Sequence, residues 1–346
     1  MLLVVARRRQ SGGQPGDSAP LTFQGVQQHT VTRAYLSAFT DPATPAGQEP
    51  FLWVYEREGD APYRRAPHKV AVKPDYYTAT VDGKREDVVE EALSQVEDKA
   101  LPIIRALATG GNPADLTEQE RAALALFVGF LETRVPKFRE WVERNVSELM
   151  RKVSLMTAAH PAAFERTIRE AARAKGKEPP ADIEAVRQFV LSGEYDLTVS
   201  PLMSLQMMVA QAPHIAELAY DFEWRVLDAP DGEVFITSDA PLVRIATERP
   251  QAAWMGIGWL TPWMEATLPL SPTASLLISQ HHPTGREQVN AERVREANWR
   301  TAAYAQREVY SSRSLPPEQL NRPKDWNWWT PLTAEVLPRF VEQRGT

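Results

Sequence analysis

Thr117-Glu118-Gln119-Glu120 has the form of a capping box, in which a hydroxyl and a carboxylate three residues later satisfy each other's backbone amides. Behind it Leu124, Phe127, Leu131, Phe138, Trp141, Val142, Val146, Leu149 and Val153 recur at three- and four-residue steps. The stripe holds for about ten turns. Pro136 falls inside it without shifting its phase, which predicts one long bent helix rather than two separate ones. A helix with such a face has to bury it, so helix packing is an obligatory part of the fold.

The same periodicity predicts a helix from about Arg85 to Gly110-Gly111, through Val89, Leu93, Val96, Ala100, Ile103, Ile104 and Leu107. Pro102 should kink it. Further helices are expected at 161–175, 183–192 and 201–220, and again at 288–307. Strand signals lie at 51–57, at Lys69–Val72, and at Glu308–Ser311. Trp224–Leu227 and Glu233–Thr237 flank Pro230-Asp231-Gly232 and read as a β-hairpin, and Thr267–Leu270 and Ser275–Ser279 as two more strands. Strands at both ends with helices grouped between them indicate an α+β fold. In it, a central group of long helices packs on a mainly antiparallel sheet built from N-terminal and C-terminal strands. The Gly- and Pro-rich stretch 1–24 is expected as a flexible leader. Residues 25–346 are expected as a single domain, with a helical section at 85–220 and a β-rich section at 222–283.

Several function classes are excluded early. There is no cysteine, hence no disulfide, thiolate metal site or cysteine nucleophile. Lys and Arg number 39 against 45 Asp and Glu, a net charge of −6 that does not favour nucleic acid as a partner. No window of about 18 uninterrupted apolar residues suggests a membrane span. The apolar residues 1–5 precede Arg7, Arg8 and Arg9, the wrong order for a secretory signal, so a cytoplasmic location is expected. Walker A, GxGxxG, GxSxG and kinase signatures are missing.

Two charged residues lie on apolar faces. Glu97 shares a helical face with Leu93, Leu101 and Ile104, and Arg134 shares one with Phe127, Leu131, Phe138 and Trp141. A lone buried charge costs several kcal/mol, so the economical inference is that the two meet where their helices pack. Such a pair either fixes helix register or belongs to a functional site; Glu90 lies nearly in line with Glu97. Asp239 ends the strand Phe235–Asp239, where it suits either chemistry at a strand end or capping of a turn. His29 precedes the amphipathic run Tyr35, Leu36, Phe39, as a core or capping residue or as a base. His281-His282, followed by Pro283 and Gly285, reads as an exposed loop pair. Trp254, Trp259, Trp263, Trp326, Trp328 and Trp329 read as aromatic burial over the core in preference to a stacking platform.

These features, in this order, resemble a large, mainly bacterial family catalogued as a domain of unknown function, number 4238. The likeness rests on His29-x(5)-Tyr35-Leu36-x-x-Phe39, Trp53-Val54-Tyr55, Asp75-Tyr76-Tyr77, Glu97, Arg134, Phe235–Pro241, Leu270-Ser271-Pro272 and Asn298, over about 26–312. Thr32 and Ala240 stand where the family usually has proline and asparagine. The resemblance implies no reaction. It does imply a set of positions: His29, Glu97, Arg134, Ser238, Asp239 and Asn298.

One expectation is a hydrolase-type enzyme with His29, Glu97, Arg134 and Asp239 as its catalytic groups, and Ser238 and Asn298 binding an anionic, phosphate- or carboxylate-bearing substrate. The other is a non-catalytic binding or interaction protein whose inward polar residues are structural. Cofactor, metal and partner, whether small molecule or protein, are left open. Convergence of the four groups beside an open cavity favours the enzyme.

Overall fold

Periodicity is realised as helix and strand in a computed structural model that describes residues 4–8, 26–59, 61–81, 84–86, 88–248 and 257–321. In chain order, β1 (Val4–Arg8), β2 (Gln27–His29), α1 (Arg33–Leu36), β3 (Leu52–Glu56), β4 (Tyr63–Arg65), β5 (Val72–Pro74), β6 (Ala79–Val81) and β7 (Lys84–Glu86) come first. The helical section follows as α2 (Val88–Ala108), α3 (Glu118–Thr133), α4 (Pro136–Ala158), α5 (Pro161–Ala174), α6 (Ile183–Ser192), β8 (Tyr195–Val199) and α7 (Pro201–Asp221). The rest is β9 (Glu223–Asp228), β10 (Thr237–Ser238), β11 (Val243–Ala246), β12 (Met264–Ser271), β13 (Ala274–Ser279), β14 (Gly285–Gln288), α8 (Ala291–Tyr304) and β15 (Glu308–Ser311). The fold is α+β. By its contacts the chain divides into two compact units, 1–23 with 139–207 and 24–138 with 208–346, where one domain over 25–346 is expected from the sequence.

The second unit carries a five-stranded sheet of order β11-β12-β13-β9-β14, antiparallel except for β14 beside β9. Every residue of β13 is buried, because both faces of this sheet are covered. Trp224, Val226, Leu268, Leu270, Leu276 and Ile278 join Leu101, Ile104, Leu124, Phe127 and Leu131 of α2 and α3 in the main core. The alternate residues Leu227 and Leu277 meet Val294 and Ala297 of α8 on the opposite face. A four-stranded sheet, β10-β15-β3-β4, joins N-terminal to C-terminal strands. In the first unit β1 pairs antiparallel with β8, Val4 opposite Val199.

The capping box forms as expected: Glu120 N donates to Thr117 Oγ1 at 3.2 Å and Thr117 N to Glu120 Oε2 at 2.9 Å. The single long helix does not. It breaks into α3 and α4, with Arg134 capping the first and Pro136 opening the second. Pro136 lacks an N–H and its ring would strike the carbonyl one turn back, so it sits at a helix start, where neither matters. Val135 between them is buried in the core. The second half of the stripe is not fully covered either, with Trp141 51% and Leu149 60% exposed.

Other differences have similar causes. β9 and β10 are not a hairpin, because both edges of β9 are occupied by β13 and β14, and β10 joins β15 in the other sheet. Residues 4–8 of the expected leader form β1. Residues 84–86 are strand, so α2 begins at Val88, and it runs through Pro102. Residues 67–69 form a 3₁₀ turn, and the strand there is Val72–Pro74. His281 and His282 are not an exposed pair: His282 is 3% exposed, and burial pushes its imidazole down to about 4. His281 stacks on Trp263 with ring centroids 4.4 Å apart. Trp259 and Trp263 are buried, whereas Trp254, Trp326, Trp328 and Trp329 lie outside the described residues. No helix among the described residues is long and apolar enough to cross a membrane.

Candidate functional site

β2 pairs with β5 with His29 opposite Val72, which holds the His29 backbone at a strand end just before α1. The first three turns of α2 bring Glu90, Leu93 and Glu97 to the same place. The C-cap of α3 brings in Arg134, 4% exposed. Together with Arg33 and Tyr77 these residues wall a cavity of about 270 Å³.

Arg134 forms the hub. Its Nη1 donates to Glu97 Oε1 as an ion pair, its Nη2 donates to the His29 carbonyl at 2.7 Å, and its Nε to the Tyr77 hydroxyl at 3.2 Å. Burial works against its charge, but the Tyr77 oxygen and the Glu97 carboxylate more than offset that and raise its pKa. Gln28 braces the rim: its Oε1 accepts from Tyr77 N at 2.6 Å and its Nε2 donates to Glu90 Oε2 at 2.6 Å. The inferred meeting of Glu97 and Arg134 is therefore present in the structure.

His29 has a different character. Its Nε2 is buried and has no hydrogen-bond partner among the described residues. Burial lowers its pKa, Arg134 lowers it further, and Glu97 raises it in partial compensation. The net effect favours the neutral ring.

Asp239, Ser238 and Asn298 are not among the residues walling this cavity. Asp239 Oδ1 accepts from Gln306 N at 2.8 Å, and Oδ2 from Arg307 N at 2.7 Å and Glu308 N at 3.2 Å, so it fixes the turn entering β15. Burial raises its pKa against these three amide bonds. Ser238 Oγ accepts from Ala240 N at 3.1 Å. Asn298 clips the segment before β10, accepting from Ile236 N at 3.1 Å and donating to Val234 O at 2.8 Å. The structure thus unites His29, Glu97 and Arg134 and separates them from the other three. Asp239→Ala should leave three part-buried amides without their acceptor and cost about 2 kcal/mol of stability, read by urea unfolding. Unchanged stability would contradict this structural role.

Sequence reasoning passed over Tyr77, Gln28 and Arg33. Tyr77 carried a signal as part of Asp75-Tyr76-Tyr77, but its role depends on a hydroxyl reaching Arg134 across 57 positions of chain. Lys137 was also missed. Its ammonium lies 3.2 Å from the Tyr304 ring centroid, and burial together with Arg57 pushes it down to about 8. Among the described residues no group of three or more His, Cys, Asp or Glu is arranged to hold a metal ion.

A family model described as "Protein of unknown function (DUF4238)" matches residues 27–314. The chain belongs to this family. The DUF4238 span opens on the first residue of β2 and takes in every wall of the cavity, while β1 precedes it. No curated protein and no solved structure matches the chain.

Proposed function

We propose that this DUF4238 chain is a hydrolase-type enzyme acting on a small anionic substrate, with His29 as general base. The observation that carries the reading is a histidine at the wall of a polar cavity whose buried Nε2 has no hydrogen-bond partner among the described residues. Such a nitrogen can take a proton from water attacking a carbonyl or phosphoryl centre. Arg134 is a positioning residue here, because its donors are engaged by Glu97, Tyr77 and the His29 carbonyl. The exposed Arg33 at the rim takes over the role of holding the phosphate or carboxylate group. A cavity of about 270 Å³ suits a compact substrate.

His29→Gln, assayed on chromogenic phosphate and carboxylate esters, should lose about a hundredfold in kcat with an unchanged melting temperature. A folded state that lowers the His29 pKa also places the acid limb of the rate profile below 6.5, since activity is lost only when the imidazole protonates. Full activity in His29→Gln would refute the assignment. The inward engagement of Arg134 and Asp239 favours a second reading, a non-catalytic binding protein, which predicts no turnover on any of these esters.

A further inference from the structure

A larger cavity of about 660 Å³ lies elsewhere in the same unit and shares no wall with the first. We propose that it is a second ligand site, taking a small molecule with a planar apolar body and one anionic group. The proposal goes beyond the function proposed above and does not depend on it.

The floor follows from strand register. β15 pairs with β3 so that Val309 faces Tyr55 and Glu308 faces Glu56. Arg57 N donates to Arg307 O at 2.8 Å, which extends the ladder by one step and sets Arg57 opposite Arg307. Side chains alternate along a strand, so Tyr55, Arg57, Arg307 and Val309 share one face, and all four wall the cavity. Of the intervening carboxylates, Glu56, which also walls the cavity, accepts from Tyr63 at 2.7 Å, and Glu308 accepts from Tyr310 at 2.6 Å.

Two arginines directly opposite each other on neighbouring strands repel. Arg57 keeps its charge while its Nη2 donates to Ala303 O at 3.0 Å and Ala305 O at 2.8 Å. Among the described residues Arg307 donates only through its backbone, to Asp239, and the residue is exposed. A bound anion between the two would convert the repulsion into a pair of charge-assisted hydrogen bonds. The other end of the cavity is apolar, with Trp299, Ala302, Leu315, Pro317 and Leu320 around Tyr55 and Val309. A planar apolar ring fits that end while its charge reaches the arginines, and the volume lies in the range of small-molecule sites.

The probe is naphthalene-1-sulfonate, which no hydrolase can cleave, titrated into the full chain by calorimetry. One saturable site per chain is expected, at least about tenfold tighter than for naphthalene-1-methanol or methanesulfonate, the apolar and anionic halves alone. Arg307→Ala should weaken binding about tenfold without lowering the melting temperature, since it removes a repulsion. His29→Gln should bind as the wild type does, which keeps this site distinct from the catalytic proposal. No saturable binding, full affinity in Arg307→Ala, or loss of affinity in His29→Gln would each overturn the assignment.

Discussion

Arg134→Ala is expected to destabilise the protein by about 3–5 kcal/mol, the range for removing one partner of a buried ion pair. The cost has two sources. The Glu97 carboxylate, 18% exposed, loses the cation that neutralises it. The His29 carbonyl loses its 2.7 Å donor and keeps a longer 3.3 Å bond from the Tyr77 hydroxyl, and that hydroxyl loses the donation from Arg134 Nε. The loss should reach function as well, because the carbonyl held by Arg134 belongs to His29, a residue that walls the cavity. Urea unfolding followed by circular dichroism reads the first effect. A loss below about 1 kcal/mol would put the pair in the class of surface ion pairs.

Gly129→Ala should be nearly as damaging, at about 3 kcal/mol or more. In most helices this change is favourable by about 1 kcal/mol, because alanine has the higher propensity. Here α3 crosses α7 so closely that a Cβ at position 129 would lie 2.2 Å from the carbonyl oxygen of Ala212 and 3.0 Å from its carbon. The obstruction is helix backbone, which cannot rotate away as a side chain could, so the two helices must separate. The disturbance is local to the site's supports: Gly129 lies five positions before Arg134 on the helix that delivers it. A melting temperature equal to that of the wild type would show that the crossing is looser than described.

Most of the α+β architecture was legible, because it rests on local signals. The capping box at Thr117 starts α3 in the structure as in the sequence, and the strands at Glu308–Ser311 and Ser275–Ser279 fall where alternation and turn residues suggest. The errors arise where non-local pairing decides. Asp231-Gly232 does turn the chain, yet β10 crosses to another sheet because β14, over fifty residues downstream, takes the free edge of β9. Pro136 deceived because the link between α3 and α4 is two residues long and preserves the phase of the stripe.

The candidate site divides in the same way. Glu97 and Arg134 were legible because a charge on an apolar helical face needs a partner, and two such charges of opposite sign satisfy each other. His29 was legible only as one of several polar residues, since an unpartnered nitrogen is a property of its surroundings. Asp239 was the opposite case. A Ser-Asp pair at a strand end fits catalysis and turn capping equally, and only the amides of Gln306, Arg307 and Glu308, far along the chain, select the second.

The most direct test of the central claim is a double-mutant cycle on Glu97→Gln and Arg134→Met, with unfolding free energies measured for the four proteins. Mutual neutralisation in the interior predicts a coupling of about 2 kcal/mol or more, the double variant being far less destabilised than the sum of the singles. A coupling within about 0.5 kcal/mol of zero would mean that each charge is satisfied without the other, and the account of this cavity would be contradicted.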